Sequence, residues 1–158
     1  MDKKLVGVGL IGLILGVLIA GVYGWNAAPG IMMLEDECQY GFEESVDRFT
    51  QAVNDHGWKV SKVHDLKKTM NKFGKDVNRV KVLEICHPDH AYKVLAEDDE
   101  RVVTSLMPCR VSIYEHSDGK VYASRLNSGL MGQMMDGIIP EVMADASADS
   151  EKMLESIL

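Results

Sequence analysis

The sequence contains no G-x-S-x-G, no P-loop and no H-E-x-x-H, so the common frameworks of serine hydrolysis, nucleotide chemistry and zinc proteolysis are missing. Ser, His and Asp residues are scattered, and nothing in their spacing positions them as a triad. Basic charge is also short: 17 Lys and Arg face 24 Asp and Glu, a formal net charge of -7. Phosphate neutralisation needs clustered Lys and Arg, which excludes a nucleic-acid partner. Cysteine is limited to Cys38, Cys86 and Cys109, an odd set that leaves one thiol over from any disulfide. Long internal repeats and low-complexity tracts are absent, and regular apolar patterning through the rest of the chain excludes disorder.

Hydrophobic residues make up 46% of the 158-residue chain, and much of that excess sits in one place. Residues 5–24 carry no charge and reach about 30 Å as a helix, the hydrocarbon thickness of a bilayer. Lys3 and Lys4 precede this run, whereas Glu35, Asp36 and Glu37 follow it before the first basic residue, Arg48. The positive-inside rule therefore predicts a single-pass cell-membrane protein with residues 1–4 as a cytoplasmic tip, residues 5–24 as the membrane helix, 25–37 as a linker and an extracytoplasmic domain over 38–158. A cleaved signal peptide is the competing reading, with a poor small-residue site at Asn26-Ala27-Ala28 followed directly by Pro29. Gly12, Gly16, Ala20 and Gly24 recur every four residues, a small-residue stripe on which a second membrane helix could pack, and a homodimer is the partner it suggests.

Beyond the linker, Val46, Phe49 and Val53 fall three and four apart between Glu43 and His56, predicting a helix ended by Gly57. Trp58 to His64 reads as a strand, Asp65 caps a short helix carrying Leu66, Met70 and Phe73, and Val80 to Cys86 reads as a second strand. Pro88 suits the first turn of a helix with Ala91, Val94 and Leu95 on its apolar face, and Asp98-Asp99-Glu100 marks a polar break. Met107 to Glu115 alternates, with Cys109, Val111 and Ile113 on one face, and Ser117-Asp118-Gly119 turns it into a strand from Lys120 to Leu126. Paired apolar residues then recur up to Met143, interrupted by Gly132, Gly137 and Pro140, before a terminal helix with Met153, Leu154 and Ile157. Strands mixed with helices and closing in a hairpin predict an α+β fold with a largely antiparallel sheet.

An oxidising compartment favours a disulfide or a metal-bound thiolate over three free thiols. Cys86 ends a strand just before a helix, where unpaired N–H groups and the helix dipole favour a thiolate. If its strand runs antiparallel to the one that Cys109 begins, the two cysteines lie at the same sheet edge. His87 and His90 join that edge in the run C-H-P-D-H, and a Cys/His set of Cys86, His87, His90 and Cys109 suits zinc, copper or haem iron without naming the cofactor. The bland alternative keeps Cys86 and Cys109 as buried residues or a structural disulfide, with His87 capping the helix and His90 solvated. Met131, Met134 and Met135 could ligate Cu(I), but helical spacing with Leu130, Ile138 and Ile139 explains them as an adaptable packing face. Glu35-Asp36-Glu37 and Glu97-Asp98-Asp99-Glu100 read as solvated loops.

Several of these segments together, Phe42-Glu43-Glu44-Ser45-Val46, His56-Gly57-Trp58-Lys59-Val60, Leu83-Glu84-Ile85-Cys86-His87-Pro88 and Leu106-Met107-Pro108-Cys109-Arg110-Val111-Ser112-Ile113-Tyr114-Glu115, resemble the family called domain of unknown function 302. His87 stands where that family usually has Asn. The resemblance implies a compact α+β domain with a curved antiparallel sheet backed by helices, TATA-binding-protein-like, and often a dimer. It implies no established activity, and it marks Cys86 and Cys109 as members of recurring motifs. Two functions follow as expectations: thiol redox, sulfur handling, or metal or small-ligand binding at Cys86 and Cys109, or a non-catalytic module that dimerises through its sheet or C-terminal helices.

Overall fold

The computed structural model describes residues 3–158, with side chains from residue 12 onward. Met1 and Asp2 of the expected cytoplasmic tip, and the side chains of Lys3, Lys4 and the first part of the apolar run, lie outside the described residues. The chain divides after Met32 into two units.

The first unit is one helix, α1, Lys3–Met32, and its stretch Gly12–Met32 is long and apolar enough to cross a membrane. Gly12, Gly16, Ala20 and Gly24 are exposed along it. The helix also takes in most of the segment expected as a linker. Ala27 and Ala28 favour the helical state, the Asn26 amide donates back to the carbonyl of Val22 at 2.9 Å, and Pro29 is accommodated near the end.

The second unit is an α+β domain built on a five-stranded antiparallel sheet in the order β1-β5-β4-β3-β2. Its strands are β1 Met33–Glu37, β2 Lys59–Asp65, β3 Val80–Cys86, β4 Cys109–Glu115 and β5 Val121–Leu126. Two helices, α2 Phe42–Asp55 and α6 Ile139–Leu154, cover one face. In α2 the positions Phe42, Val46, Phe49 and Val53 are buried in one stripe, and Glu43 and Glu44 occupy the positively polarised first turn. The β4–β5 hairpin shows the expected alternation: Val111, Ile113, Val121 and Ala123 are buried, with Ile113 directly opposite Ala123. These residues join Trp58, Leu83, Ile85, Met153, Leu154 and Ile157 in the main core.

Four details depart from the sequence expectation. Glu35, Asp36 and Glu37 are not in a loop but form β1, because the neighbouring β5 offers partners: Asp36 pairs with the buried Arg125, whose Nε also donates to Glu151 Oε1 at 2.9 Å. The polar break after Asp98 opens a 3-10 helix, Asp99–Leu106, in which only Val103 is buried. Pro140 interrupts nothing; it sits in the first turn of α6, where its missing N–H is harmless. Met134 is 81% exposed, whereas Met135 packs inward, so the methionine face is narrower than the spacing suggested.

The remaining helices are α3 Leu66–Asn71, with the Asp65 carboxylate accepting from the Lys68 N–H at 2.8 Å, α4 Pro88–Leu95, and α5 Ser128–Gly132. A smaller second core of Val94, Val103, Ile139 and Val142 lies between α4, the 3-10 helix and α6. Gly132 permits a close crossing there: a side-chain carbon on it would come within 2.8 Å of Met143 Cβ.

Candidate functional site

Beside the second core lies a cavity of about 300 Å³, within the range of small-molecule sites. Its walls are mainly apolar, with Trp58, Val94, Val103, Leu106, Ile139 and Val142 among them, and Cys86, His87, His90 and Cys109 all line it.

The polar residues get there for local reasons. Strands β3 and β4 are antiparallel with Ile85 opposite Cys109, so Cys86, one residue beyond that pair, lies at the same sheet edge as Cys109. Pro88 begins α4 directly after His87 and fixes the turn that swings His87 and His90 under the sheet edge. Gly57, at φ +80, ends α2 in the left-handed conformation and delivers Trp58 to the same place, its N–H bonded to the Val53 carbonyl at 3.0 Å.

Three rings cluster at this end. Trp58 lies 5.5 Å from His87 and 5.6 Å from His90 between centroids, and the two imidazoles are 4.8 Å apart. His87 makes no side-chain cap bond to α4, against the expected capping role, and His90 is not solvated, since its side chain is 18% exposed. Nδ1 of each histidine is buried and has no hydrogen-bond partner. Asp149 of α6 stands behind the rings: its Oδ2 is 3.4 Å from Trp58 Nε1 and 3.6 Å from His90 Nε2, and its Oδ1 is 3.3 Å from Lys152 Nζ. Burial pushes the Asp149 carboxyl up, but hydrogen bonds from Lys152, Trp58 and His90 outweigh it and hold the group below the usual aspartate range.

The disulfide expected among the thiols is not formed. All three cysteines are free. Cys86 donates to the backbone carbonyl of His87 at 3.9 Å and not to an imidazole. Burial raises its pKa despite the adjoining helix terminus; Cys109 is raised by burial and then by its neighbour Cys86. Cys38 lies in the main core, likewise raised by burial. Such thiols are protonated at neutral pH and weakly nucleophilic. Among the described residues no group of three or more His, Cys, Asp or Glu is arranged to hold a metal ion. The arrangement is suited to holding a compact, largely apolar molecule against two imidazoles.

Asp149 is the site residue that motif reasoning missed. A signal existed: Val142, Ala146, Asp149 and Met153 are spaced four, three and four, which sets the carboxylate on the buried stripe of α6.

A family profile described as "Domain of unknown function DUF302" matches residues 35–158. Among solved structures, "Crystal structure of uncharacterized conserved protein DUF302 from Bacillus stearothermophilus" superposes with a TM-score of 0.71 at 21% identity, covering 80% of this chain and 98% of that one. At that identity the likeness shows the fold. No curated protein matches the chain.

Proposed function

The chain belongs to the DUF302 family, and from that premise we propose that it is a membrane-anchored binding protein whose domain takes up a small, mainly apolar molecule in the cavity beside α4 and α6. The observation behind this reading is a mainly apolar cavity of about 300 Å³ walled by Trp58, Val94, Val103, Leu106, Ile139 and Val142. Raised thiol pKa values favour binding over thiol redox chemistry or sulfur transfer, since neither sulfur is activated by an imidazole. The anchor is supported by the apolar helix through Met32 and by Lys3 and Lys4 ahead of it, which favour a cytoplasmic N-terminus and an extracytoplasmic domain. The TATA-binding-protein-like arrangement that the resemblance implies is supported by the all-antiparallel five-stranded sheet with α2 and α6 on one face.

Methyl NMR of the full chain in detergent, titrated with toluene, tests the binding. Toluene is expected to shift the methyls of Val94, Val103, Ile139 and Val142 and to leave those of Ile113 and Val121 in place. Val142→Phe and, from the opposite wall, Ala91→Leu are expected to suppress the shifts. Shifts in the main core alone, or none in either core, would remove the binding reading.

A further inference from the structure

We propose, resting on the cavity-binding reading above, that the occupant is a single-chain amphiphile with an anionic head, of the fatty-acid class, whose chain enters the apolar end of the cavity and whose carboxylate meets the guanidinium of Arg110. The cavity is not uniform. At one end Val94, Val103, Ile139 and Val142 of the second core wall it. At the other, Val82, Arg110, Ser112 and Ser124 line it, on the sheet face that α2 and α6 leave open. Register and strand alternation put these four side chains on that face. Arg110 and Ser112 are two apart on β4, and Ser112 pairs with both Val82 and Ser124, whereas their chain neighbours Leu83, Val111 and Ala123 are buried in the main core. A space that is apolar at one end and polar at the other fits a molecule divided in the same way.

Charge decides the sign of the head. Two guanidiniums line the cavity, those of Arg110 and Arg125, and no Asp or Glu does so among the described residues. Arg125 is neutralised by Asp36 and Glu151. Arg110 is held more loosely: its Nε lies 3.4 Å from Glu84 Oε1, an oxygen that His64 Nε2 also reaches at 3.1 Å. The Arg110 side chain is half exposed, and its terminal nitrogens make no hydrogen bond among the described residues. That leaves a planar fork of donors, the geometry that binds a carboxylate by two parallel bonds. One such guanidinium balances one negative charge, which suits a carboxylate better than a phosphate dianion.

The test titrates the full chain with octanoate, octylammonium and octyl phosphate at one fixed detergent concentration, read by the same methyl resonances. Octanoate is expected to shift the Val103 and Val142 methyls and to bind about tenfold more tightly than octylammonium, the worth of one charge-assisted hydrogen-bonded contact. Its affinity is expected to fall about tenfold in Arg110→Gln, to be partly kept in Arg110→Lys, and to drop about fourfold for each methylene removed from the chain. Toluene is expected to shift the same methyls in all of these variants, which shows that the cavity is intact. Equal affinities of octanoate and octylammonium, or octanoate binding unchanged in Arg110→Gln, with toluene still shifting the cavity methyls, would overturn the anionic head and leave the binding reading standing. Tighter binding of octyl phosphate than of octanoate would overturn the carboxylate. Silence of toluene and octanoate alike would overturn both readings.

Discussion

Two apolar clusters in the same domain use similar residues and end differently. The main core, between the sheet and helices α2 and α6, buries Phe49, Val53, Leu83, Ile85, Ile113, Met153, Leu154 and Ile157 completely. The second core has only Val94, Val103, Ile139 and Val142 buried, and its surrounding Leu106, Met107, Met135, Ile138 and Met143 are partly exposed. The difference lies in the scaffold. A hydrogen-bonded sheet fixes side chains at regular spacing, so two long helices can close over it. The second cluster is framed by an eight-residue helix and a 3-10 segment, short elements that do not pack out the space between them and α6. One core holds the domain together, and the other leaves room.

The comparison predicts unequal responses to truncation, read by urea unfolding of the full chain. Ile113→Ala in the main core should cost about 2–5 kcal/mol, the usual toll for a fully buried aliphatic side chain in a rigid site. Overfilling the α5–α6 crossing with Gly132→Ala should cost about 1–3 kcal/mol, because the new methyl meets Met143 Cβ. Val142→Ala, which enlarges an existing cavity, should cost only about 1 kcal/mol. A Val142→Ala loss as large as that of Ile113→Ala would show that the second core is as tightly packed as the first and break the contrast.

The smallest effects concern pH. Asp149 has a lowered pKa in the folded chain, so its contribution is present above the ordinary aspartate pKa of about 3.9 and is lost as pH falls through the folded value. Cys86 and Cys109 have raised pKa values, so the native state keeps protons that the unfolded chain releases, and stability should decline as pH rises past about 8.5. Unfolding midpoints of Asp149→Asn and of Cys86→Ser with Cys109→Ser, compared with the wild type across pH, check both signs: the first variant should flatten the acid limb and the second the alkaline limb.

Much of the main core was legible in the sequence, because it follows the two periodicities that burial on one face imposes. The stripe Val46, Phe49, Val53 and the alternation through Val111 and Ile113 lead directly to α2 and β4. Register arithmetic also set Cys109 near the end of β3, since antiparallel neighbours return the chain to the same edge. What was not legible depends on partners distant in sequence. Glu35, Asp36 and Glu37 look solvated until Arg125, Lys120 and Tyr114 are placed beside them. Residues 25–32 look like a linker because Pro29 and Gly30 are weak helix formers, yet they complete the last turns of α1. The helix terminus beside the Cys86 thiol is visible in sequence, and the burial that overrides it and raises the thiol's pKa is not. Asp149 is hidden in the sequence for the same reason: its neighbours Trp58 and His90 are both more than fifty residues away.

Xenon enters dry cavities without needing a polar partner, so it reports whether the second core contains an apolar space open to an occupant. In crystals of the full chain held under xenon pressure, a bound atom is expected between Trp58, Val103 and Val142, and is expected to be lost in Val142→Phe. Ordered water filling that space, or xenon found only in the main core, would contradict an open apolar space there.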